Sequence, residues 1–335
     1  MRAALIALTT VGLALAPASG AAKSGPAPLA TFAPLAGHRI AGFALDREWL
    51  AIAEDPATPG ACPVVELVAA TGGGARSLTR PGGPTCRLGG HFWVRPGDRA
   101  IGLAIIRAMW VVHDGTAAIA VKASPHEPET VLARAKSIRP VRGPFLGPVV
   151  ATNWLRLFAS YTRNADGTLN GKVVSGNGRT LWAATGPVLP LGLDDEEHAV
   201  AVGADGAIAM WHAHGARYGR VAAAHARGAA VDRGEVMILR SDRPQLDVRE
   251  LSGRRIASWP VALGASPLLD ADAGIAVYTA GRAVHELDLS TGHDRVVASA
   301  PPGTTLVDAQ IERRLVTYAY RGGRSGAGRV VVIPR

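Results

Sequence analysis

Short runs of hydrophobic residues recur along the chain, and one such pattern appears seven times. The runs are separated by segments rich in Gly and Pro, and their starting positions lie on average about 44 residues apart. They are Trp49–Ala53, Ala100–Ala104, Leu155–Ala159, Ala199–Gly203, Glu235–Leu239, Gly274–Tyr278 and Arg314–Tyr318. Each run is too short for a helix of ordinary length, so the pattern predicts repeated units made of β-strands.

A second β-like segment follows each run after a turn signal. Asp205-Gly206 separates the two segments of the fourth unit, and Ala280-Gly281 separates those of the sixth. Asp-Gly between strands favours a type I′ turn, with positive φ at both central residues. Repeats of this length are typical of four-stranded blades. The sequence therefore predicts an all-β fold, a seven-bladed β-propeller of four-stranded antiparallel blades.

The two ends of the chain are predicted to meet in one blade. The seventh unit stops at Arg335, directly after its third strand, and a three-stranded terminal blade would expose an edge. The segment Ala30–Leu35 precedes the first unit and is expected to supply the missing outer strand, which would close the ring. We therefore expect a single propeller domain over residues 30–335, preceded by a flexible segment at 23–29.

The first residues have the layout of a secretory signal peptide. Met1 and Arg2 form a positive start, an apolar run covers Ala3–Ala16, and small residues continue to Ala22. We predict a signal peptide over residues 1–22 and a secreted, periplasmic or cell-envelope location. An uncleaved membrane anchor is the alternative, although the run is shorter than the about 20 residues that span a bilayer. We expect no transmembrane segment once the leader is removed.

A pair of cysteines lies between the first two apolar runs. Cys62 and Cys86 are the 2 cysteines of the chain. In an exported protein a pair this close in sequence is expected to form a disulfide, with two free thiols as the alternative. A metal site is disfavoured, because neither cysteine belongs to a CxxC motif.

The formal net charge is +9, with the positive residues scattered along the chain. Aromatic residues do not alternate with them as a stacking platform for single strands requires, so nucleic acid is not expected as a partner. We interpret the charge mainly as solvation of the surface, with a dedicated polyanion site as the alternative.

Histidines in the fourth unit are the candidates for a metal site. His212 and His214 flank one residue, and in a strand this spacing places both rings on one face. His198 and His225 belong to the same unit. A metal ion needs three or four convergent ligands, so two strand histidines are insufficient. We expect His212 and His214 to lie at a strand end facing solvent, and we predict no metal.

Two acidic segments lie where the repeat pattern predicts turns. The run 194–197 offers oxygen ligands for Ca²⁺ but lacks the alternating spacing of a calcium loop, so a solvated turn is predicted. Asp270 and Asp272 are likewise expected to serve turn chemistry. The sequence has no Gly-x-Ser-x-Gly motif and no phosphate-binding Gly loop, so no catalytic residue and no cofactor is assigned.

The 7 tryptophans are spread over the units, and packing between blades is their expected role. Stacking on a quinone cofactor is the alternative. Its support is a resemblance: the segment Asp288–Gly292 is similar to the strand-turn signature of WD40-like and quinoprotein-like bacterial propellers. Asn177–Trp182 and Gly253–Trp259 resemble the Gly-to-Trp spacing of quinoprotein-type repeats, and Ser77–Thr79 and Trp93–Asp98 resemble TolB-type repeats.

The resemblance implies a bacterial secreted propeller and says little about activity, because fold does not determine function. We expect a monomeric, non-catalytic, extracytoplasmic binding or scaffolding module that recognises a protein or a cell-envelope polymer. The alternative is a propeller enzyme, either a quinoprotein-like oxidoreductase or a glycan-active hydrolase or lyase. A propeller that binds metal through His212 and His214 is a third hypothesis.

Overall fold

The computed structural model describes residues 26–46, 49–57, 64–74, 76–77, 91–96, 106–111, 117–122, 130–134, 146–151, 156–163, 165–166, 169–175, 179–186, 188–194, 196, 198–212, 217–221, 225–323 and 328–335. In these ranges the chain is all-β, contains no helix, and forms seven four-stranded antiparallel sheets. Consistent with this, the described residues include no helix with the length and hydropathy needed to cross a membrane. The predicted leader, both cysteines and His214 lie outside these ranges.

The strands follow one another along the chain with short connections. The first strand is β1 (Ala30–Phe32), which belongs to the last sheet. Sheet 1 contains β2 (His38–Asp46), β3 (Trp49–Pro56), β4 (Val64–Ala69) and β5 (Arg76–Ser77). Sheet 2 contains β6 (His91–Pro96), β7 (Ile106–Val111), β8 (Ala117–Lys122) and β9 (Thr130–Arg134). Sheet 3 contains β10 (Leu146–Ala151), β11 (Arg156–Arg163), β12 (Leu169–Ser175) and β13 (Thr180–Thr185).

The second half repeats the arrangement. Sheet 4 contains β14 (Val188–Leu193), β15 (Ala199–Gly203), β16 (Ile208–Trp211) and β17 (Arg217–Val221). Sheet 5 contains β18 (Ala226–Asp232), β19 (Glu235–Arg240), β20 (Gln245–Glu250) and β21 (Arg255–Pro260). Sheet 6 contains β22 (Ala265–Asp272), β23 (Ile275–Ala280), β24 (Ala283–Asp288) and β25 (Asp294–Ser299). Sheet 7 contains β26 (Thr304–Glu312), β27 (Leu315–Gly322) and β28 (Arg329–Pro334), completed by β1.

This order gives every sheet two distinct ends. Neighbouring strands are antiparallel, so the turns after the first and third strands of a sheet lie at one end, which we call the hairpin edge. The turn after the second strand and the connection to the next sheet lie at the opposite end, which we call the connection edge.

The recurring apolar runs form the second strands of the sheets. Trp49–Ala53, Ala199–Gly203 and Glu235–Leu239 all lie within such strands. All five residues of β15 are buried, because the strand is covered on both faces by neighbouring sheets. That double coverage explains why the runs are continuous rather than alternating. The run Ala100–Ala104 lies outside the described residues.

Sheet 7 combines both ends of the chain. β1 pairs antiparallel with β28, with Ala30 opposite Val332 and Phe32 opposite Val330. The backbone N–H of Leu29 also donates to the carbonyl of Val332, at 2.8 Å. The prediction that the segment beginning at Ala30 supplies the fourth strand of the last sheet is therefore confirmed for residues 30–32.

The hydrophobic cores lie between successive sheets. One cluster joins Met237 and Leu246 of sheet 5 to Tyr278 and Leu287 of sheet 6. Another joins residues of sheet 1 to residues of sheet 7, among them Phe43, Leu50, Ala319, Val330 and Val332. First strands of consecutive sheets contact each other along the chain, and β26 of the last sheet contacts β2 of the first. In these clusters the sheets bury their apolar faces against their neighbours.

One predicted turn has a different geometry. In the turn between β15 and β16, Gly206 has a φ of 75°, but Asp205 is not in the positive region, so the type I′ prediction for Asp205-Gly206 was wrong. Gly206 N donates to Gly203 O, and Gly203 N donates to Ala207 O. This is a longer hairpin loop with one left-handed residue, in which the Asp205 carboxylate accepts a bond from Ala207 N. The turns at Arg233-Gly234 and Ala273-Gly274 do have two positive φ angles.

Candidate functional site

Acidic residues end the first strands of several sheets and bind the next sheet. Asp272 is the last residue of β22, and its carboxylate accepts a hydrogen bond from Arg313 N in the first hairpin of sheet 7. Asp270, on the same strand, accepts from Ile311 N at 2.9 Å. The prediction that these two acids serve their own turn was therefore wrong: both lie on the strand and tie sheet 6 to sheet 7.

The same arrangement occurs between sheets 4 and 5. Asp194 directly follows β14, is 5% exposed, and accepts from Gly234 N in the first hairpin of sheet 5, at 2.9 Å. It also accepts from His198 N at 2.7 Å, and its Oδ2 lies 3.0 Å from His198 Nδ1. The solvated turn predicted for 194–197 is thus wrong at Asp194, while Glu196 is exposed. Residues 195 and 197 lie outside the described part of the chain.

A sequence signal for this feature existed and was missed. An acid stands at or directly after the end of the first strand in five sheets, at positions Asp46, Asp194, Asp232, Asp272 and Glu312. The last four are spaced by about one repeat. At two of these positions, Asp194 and Asp272, the carboxylate accepts a backbone N–H of the next sheet.

His212 directly follows β16, so the predicted position at a strand end is correct, but the residue is half-buried rather than facing solvent. Its ring packs against that of His198, with the ring centroids 5.2 Å apart and the planes tilted by 55°. The sequence did not indicate the role of His198, which is buried and bonded to Asp194. Within the described residues no group of three or more His, Cys, Asp or Glu side chains is placed to hold a metal ion.

A buried ionic cluster occupies sheet 5. Asp247 on β20 is fully buried and lies 3.4 Å from Arg240 Nη1 and 3.3 Å from Arg249 Nη2. Ser258 Oγ donates to Asp247 Oδ1 at 2.5 Å. Burial acts to raise the pKa of Asp247, but the bonds from Ser258 and Arg249 outweigh it and the pKa lies below its ordinary value. Nothing in the local sequence pointed to this cluster, because its members come from three strands.

A second polar network secures the connection between sheets 5 and 6. The hydroxyl of Tyr278 donates to Asp294 Oδ2 at 2.5 Å and accepts from Ala262 N at 2.9 Å. His285 stacks on Tyr278 with ring centroids 4.8 Å apart, and its Nδ1 lies 3.2 Å from Asp294 Oδ1. Burial and the bond to Asp294 raise the pKa of the Tyr278 hydroxyl. The tyrosine therefore stays protonated and acts as a fixed donor.

Three of the tryptophans pack between sheets, which is the role predicted for them. Trp182 of sheet 3 and Trp211 of sheet 4 have ring centroids 6.1 Å apart. Trp259 of sheet 5 donates its indole N–H to Leu289 O of sheet 6, at 3.0 Å. Its ring lies over Gly292, where a Cβ would come within 2.2 Å of the ring. Trp259, the tryptophan that ends the Gly253–Trp259 segment, therefore packs between sheets 5 and 6.

Arginines lie at both edges of the sheets, some paired with an acid and some not. On the hairpin edge, Arg233, Arg254 and Arg313 each form an ion pair with an acid of their own hairpin, namely Asp232, Glu250 and Glu312. On the connection edge, Arg227, Arg243, Arg282 and Arg321 are exposed, and none has a carboxylate partner in the described part of the chain.

Comparison with known proteins gives structural likeness without close sequence similarity. No protein-family model matches the sequence, and no curated protein matches it. A chain in a crystal structure of the Mitotic Checkpoint Complex is 13% identical with a TM-score of 0.57, over 97% of this chain and 99% of that one. The computationally designed Ika8 protein is 16% identical with a TM-score of 0.50, over 89% of this chain and 97% of that one.

A third similar structure is PorZ, described as an essential bacterial surface component of the type-IX secretion system of Porphyromonas gingivalis. It is 11% identical with a TM-score of 0.54, over 86% of this chain and 36% of that chain. These likenesses concern the fold. Together with the antiparallel four-stranded sheets, they fit a propeller-like repeat protein.

Proposed function

We propose that this chain is a closed seven-bladed propeller that works outside the cytoplasm as a non-catalytic binding or scaffolding module. Its partner would be a protein or another component of the cell envelope. Each four-stranded sheet is one blade in this proposal, and the strand β1 completes the last blade. The extracytoplasmic location rests on the predicted leader at residues 1–22.

The observation that carries the proposal is the use of the buried polar side chains. Asp194, Asp247 and Gln310 are buried, and each forms hydrogen bonds with a neighbouring strand or sheet. These buried polar groups thus hold the sheets in place. A partner would therefore bind at the edges of the sheets. Loops from adjacent sheets lie side by side there and present a rigid composite surface.

Two of the similar structures agree with this role. One comes from the Mitotic Checkpoint Complex, and the other is a component of a bacterial surface. At this level of identity the likeness supports the scaffold on which such a role rests, and the partner of this chain has to be found by experiment.

A binding experiment tests the proposal. The mature chain, purified without residues 1–22, is immobilised and incubated with the envelope fraction of its source, and retained material is identified. We expect reproducible retention of a protein or envelope polymer, and export of the full-length chain with loss of the leader. Turnover of a sugar polymer, or of an alcohol with added quinone, combined with no retained partner would overturn the proposal.

A further inference from the structure

The connection edge of sheets 5 to 7 carries exposed arginines that have no carboxylate partner among the described residues. Arg243 lies in the turn between β19 and β20, Arg282 in the turn between β23 and β24, and Arg321 near the end of β27. All three are exposed. Arg282 Nη1 donates to the carbonyl of Ala300, which orients the side chain without changing its charge.

Acidic residues do not offset this charge. Among the described residues at this edge of sheets 5 to 7, the one exposed carboxylate is Asp242. Arg240 binds it with two hydrogen bonds, from Nε at 2.8 Å and from Nη2 at 2.7 Å. Asp242 is therefore already satisfied, and the neighbouring Arg243 keeps its full charge. On the hairpin edge, by comparison, Arg233, Arg254 and Arg313 are paired with acids of their own hairpins.

An exposed apolar residue lies within the same surface. Leu263 is 82% exposed and belongs to the connection between β21 and β22. Its loop is fastened to the turn that carries Arg243, because Val261 N donates to Pro244 O at 3.1 Å. On the other side, Ala300 N donates to Arg282 O at 2.8 Å, which joins the Arg282 turn to the connection that contains Pro301 and Pro302. Leu263, Arg243 and Arg282 thus lie on loops that backbone hydrogen bonds hold in place.

We propose that this surface, comprising Leu263 and the arginines 243, 282 and 321, binds an acidic polypeptide segment that carries an apolar residue. The inference rests on the proposed function and names the chemistry of its partner. Acidic side chains pair with the arginines, and one apolar side chain covers Leu263. Protein interfaces combine arginine with apolar contacts in this way, whereas a polysaccharide or a nucleic acid gains nothing from an exposed leucine.

Binding of a short fluorescent peptide tests this proposal. The probe peptide consists of Glu and Gly residues with one central Leu, and the comparison peptide has Ser in place of that Leu. We expect saturable binding of the Leu peptide that weakens as salt is added, because exposed charges are screened. The Ser peptide should bind several-fold more weakly.

Charge-reversal variants locate the binding surface. Arg243→Glu with Arg282→Glu should weaken peptide binding about tenfold or more at low salt, and Leu263→Ser should weaken it several-fold. The matched control is Arg255→Glu with Arg314→Glu, which reverses two exposed arginines of the hairpin edge that also have no ionic partner in the described residues. The control should change binding less than twofold, and all variants should keep the wild-type unfolding temperature.

Three results would overturn the inference. Equal weakening by both double variants would indicate a response to net charge alone. Tighter binding of heparin or of phosphatidylglycerol vesicles than of the Leu peptide would indicate a polyanion or membrane surface. Absence of peptide binding, with the envelope partner still retained by the Arg243→Glu, Arg282→Glu variant, would overturn this inference and leave the proposed binding function standing.

Discussion

The side-chain amide of Gln310 holds the backbone of Leu45 across a sequence separation of 265 residues. Leu45 N donates to Gln310 Oε1 at 2.9 Å, and Gln310 Nε2 donates to Phe43 O at 3.0 Å. Gln310 is 3% exposed and lies on the first strand of the last sheet, whereas Leu45 lies on the first strand of the first sheet. A single amide therefore connects the two ends of the repeat array.

Replacing Gln310 tests the value of that connection. Gln310→Met keeps the shape of the side chain but leaves two buried backbone groups without partners, so the free energy of unfolding should fall by about 3 kcal/mol. Denaturant titration followed by tryptophan fluorescence measures the change. Thr305→Val, at an exposed position of the same strand, should change stability by less than about 0.5 kcal/mol. Equal losses in the two variants would contradict the role given to Gln310.

The contact of Trp259 with Gly292 predicts an unusually severe glycine substitution. A Cβ at Gly292 would lie 2.2 Å from the Trp259 ring, and the residue has a φ of 73°. Gly303 has nearly the same φ, 75°, but has nothing within 4 Å of that position. Gly303→Ala should therefore cost about 1 kcal/mol of backbone strain, while Gly292→Ala should cost at least about 2 kcal/mol more. Thermal unfolding compares the two, and similar losses would contradict the packing argument.

The buried cluster around Asp247 predicts acid sensitivity. Its pKa is lower in the folded chain than the ordinary value of about 3.9, so its contribution to stability is present above that pH. The contribution is lost as the pH falls through the folded pKa, because the unfolded chain binds the proton more readily. Asp247→Asn should lower stability by about 3 kcal/mol at pH 7, with a difference that shrinks on acidification toward pH 3.

Asp242→Asn is the control for that experiment. Asp242 has a pKa lowered to about 2 by its bond to Arg240, but it lies at the exposed connection edge, where solvent screens the interaction. Its removal should change stability little at any pH between 3 and 7. A loss comparable with that of the Asp247 variant would mean that burial is not the deciding factor.

Removal of β1 tests the joining of the chain ends. A chain lacking residues 1–32 exposes the edge of β28, whose Val330, Val331 and Val332 lose their partners, whereas a chain lacking residues 1–25 keeps them. We expect the shorter chain to be less stable and to associate in a concentration-dependent way, since open strand edges recruit other strands. Size-exclusion chromatography with light scattering measures this, and two monomeric chains of equal stability would contradict it.

The cysteine pair yields a prediction that rests on sequence alone. If Cys62 and Cys86 are joined, the exported protein contains no reactive thiol, and Cys62→Ser with Cys86→Ser lowers stability by about 3 kcal/mol through the released loop. Thiol titration of the denatured, unreduced protein is the measurement. Two titrated thiols per chain would show that the bond is absent.

Periodicity in the sequence was sufficient for the strands and for their grouping. A run such as Ala199–Gly203 is apolar at every position because it is covered on both faces, and that information is local. The pairing of Ala30–Phe32 with the last sheet also followed from the pattern, since the seventh unit lacked one strand. The sequence likewise indicated that tryptophans pack between repeats, as Trp259 does.

The polar contacts were beyond sequence reasoning, because each joins residues whose distance depends on how the sheets stack. Asp272 belongs to a turn by its local sequence, but sheet packing brings Arg313 N to its carboxylate. The uncompensated arginines of the connection edge are likewise defined by which acids lie beside them in space. The chain by itself determined the strands through their two-sided burial, and the tertiary structure alone decided which charges are paired, because electrostatic interaction depends on distance between folded neighbours rather than on order in the chain.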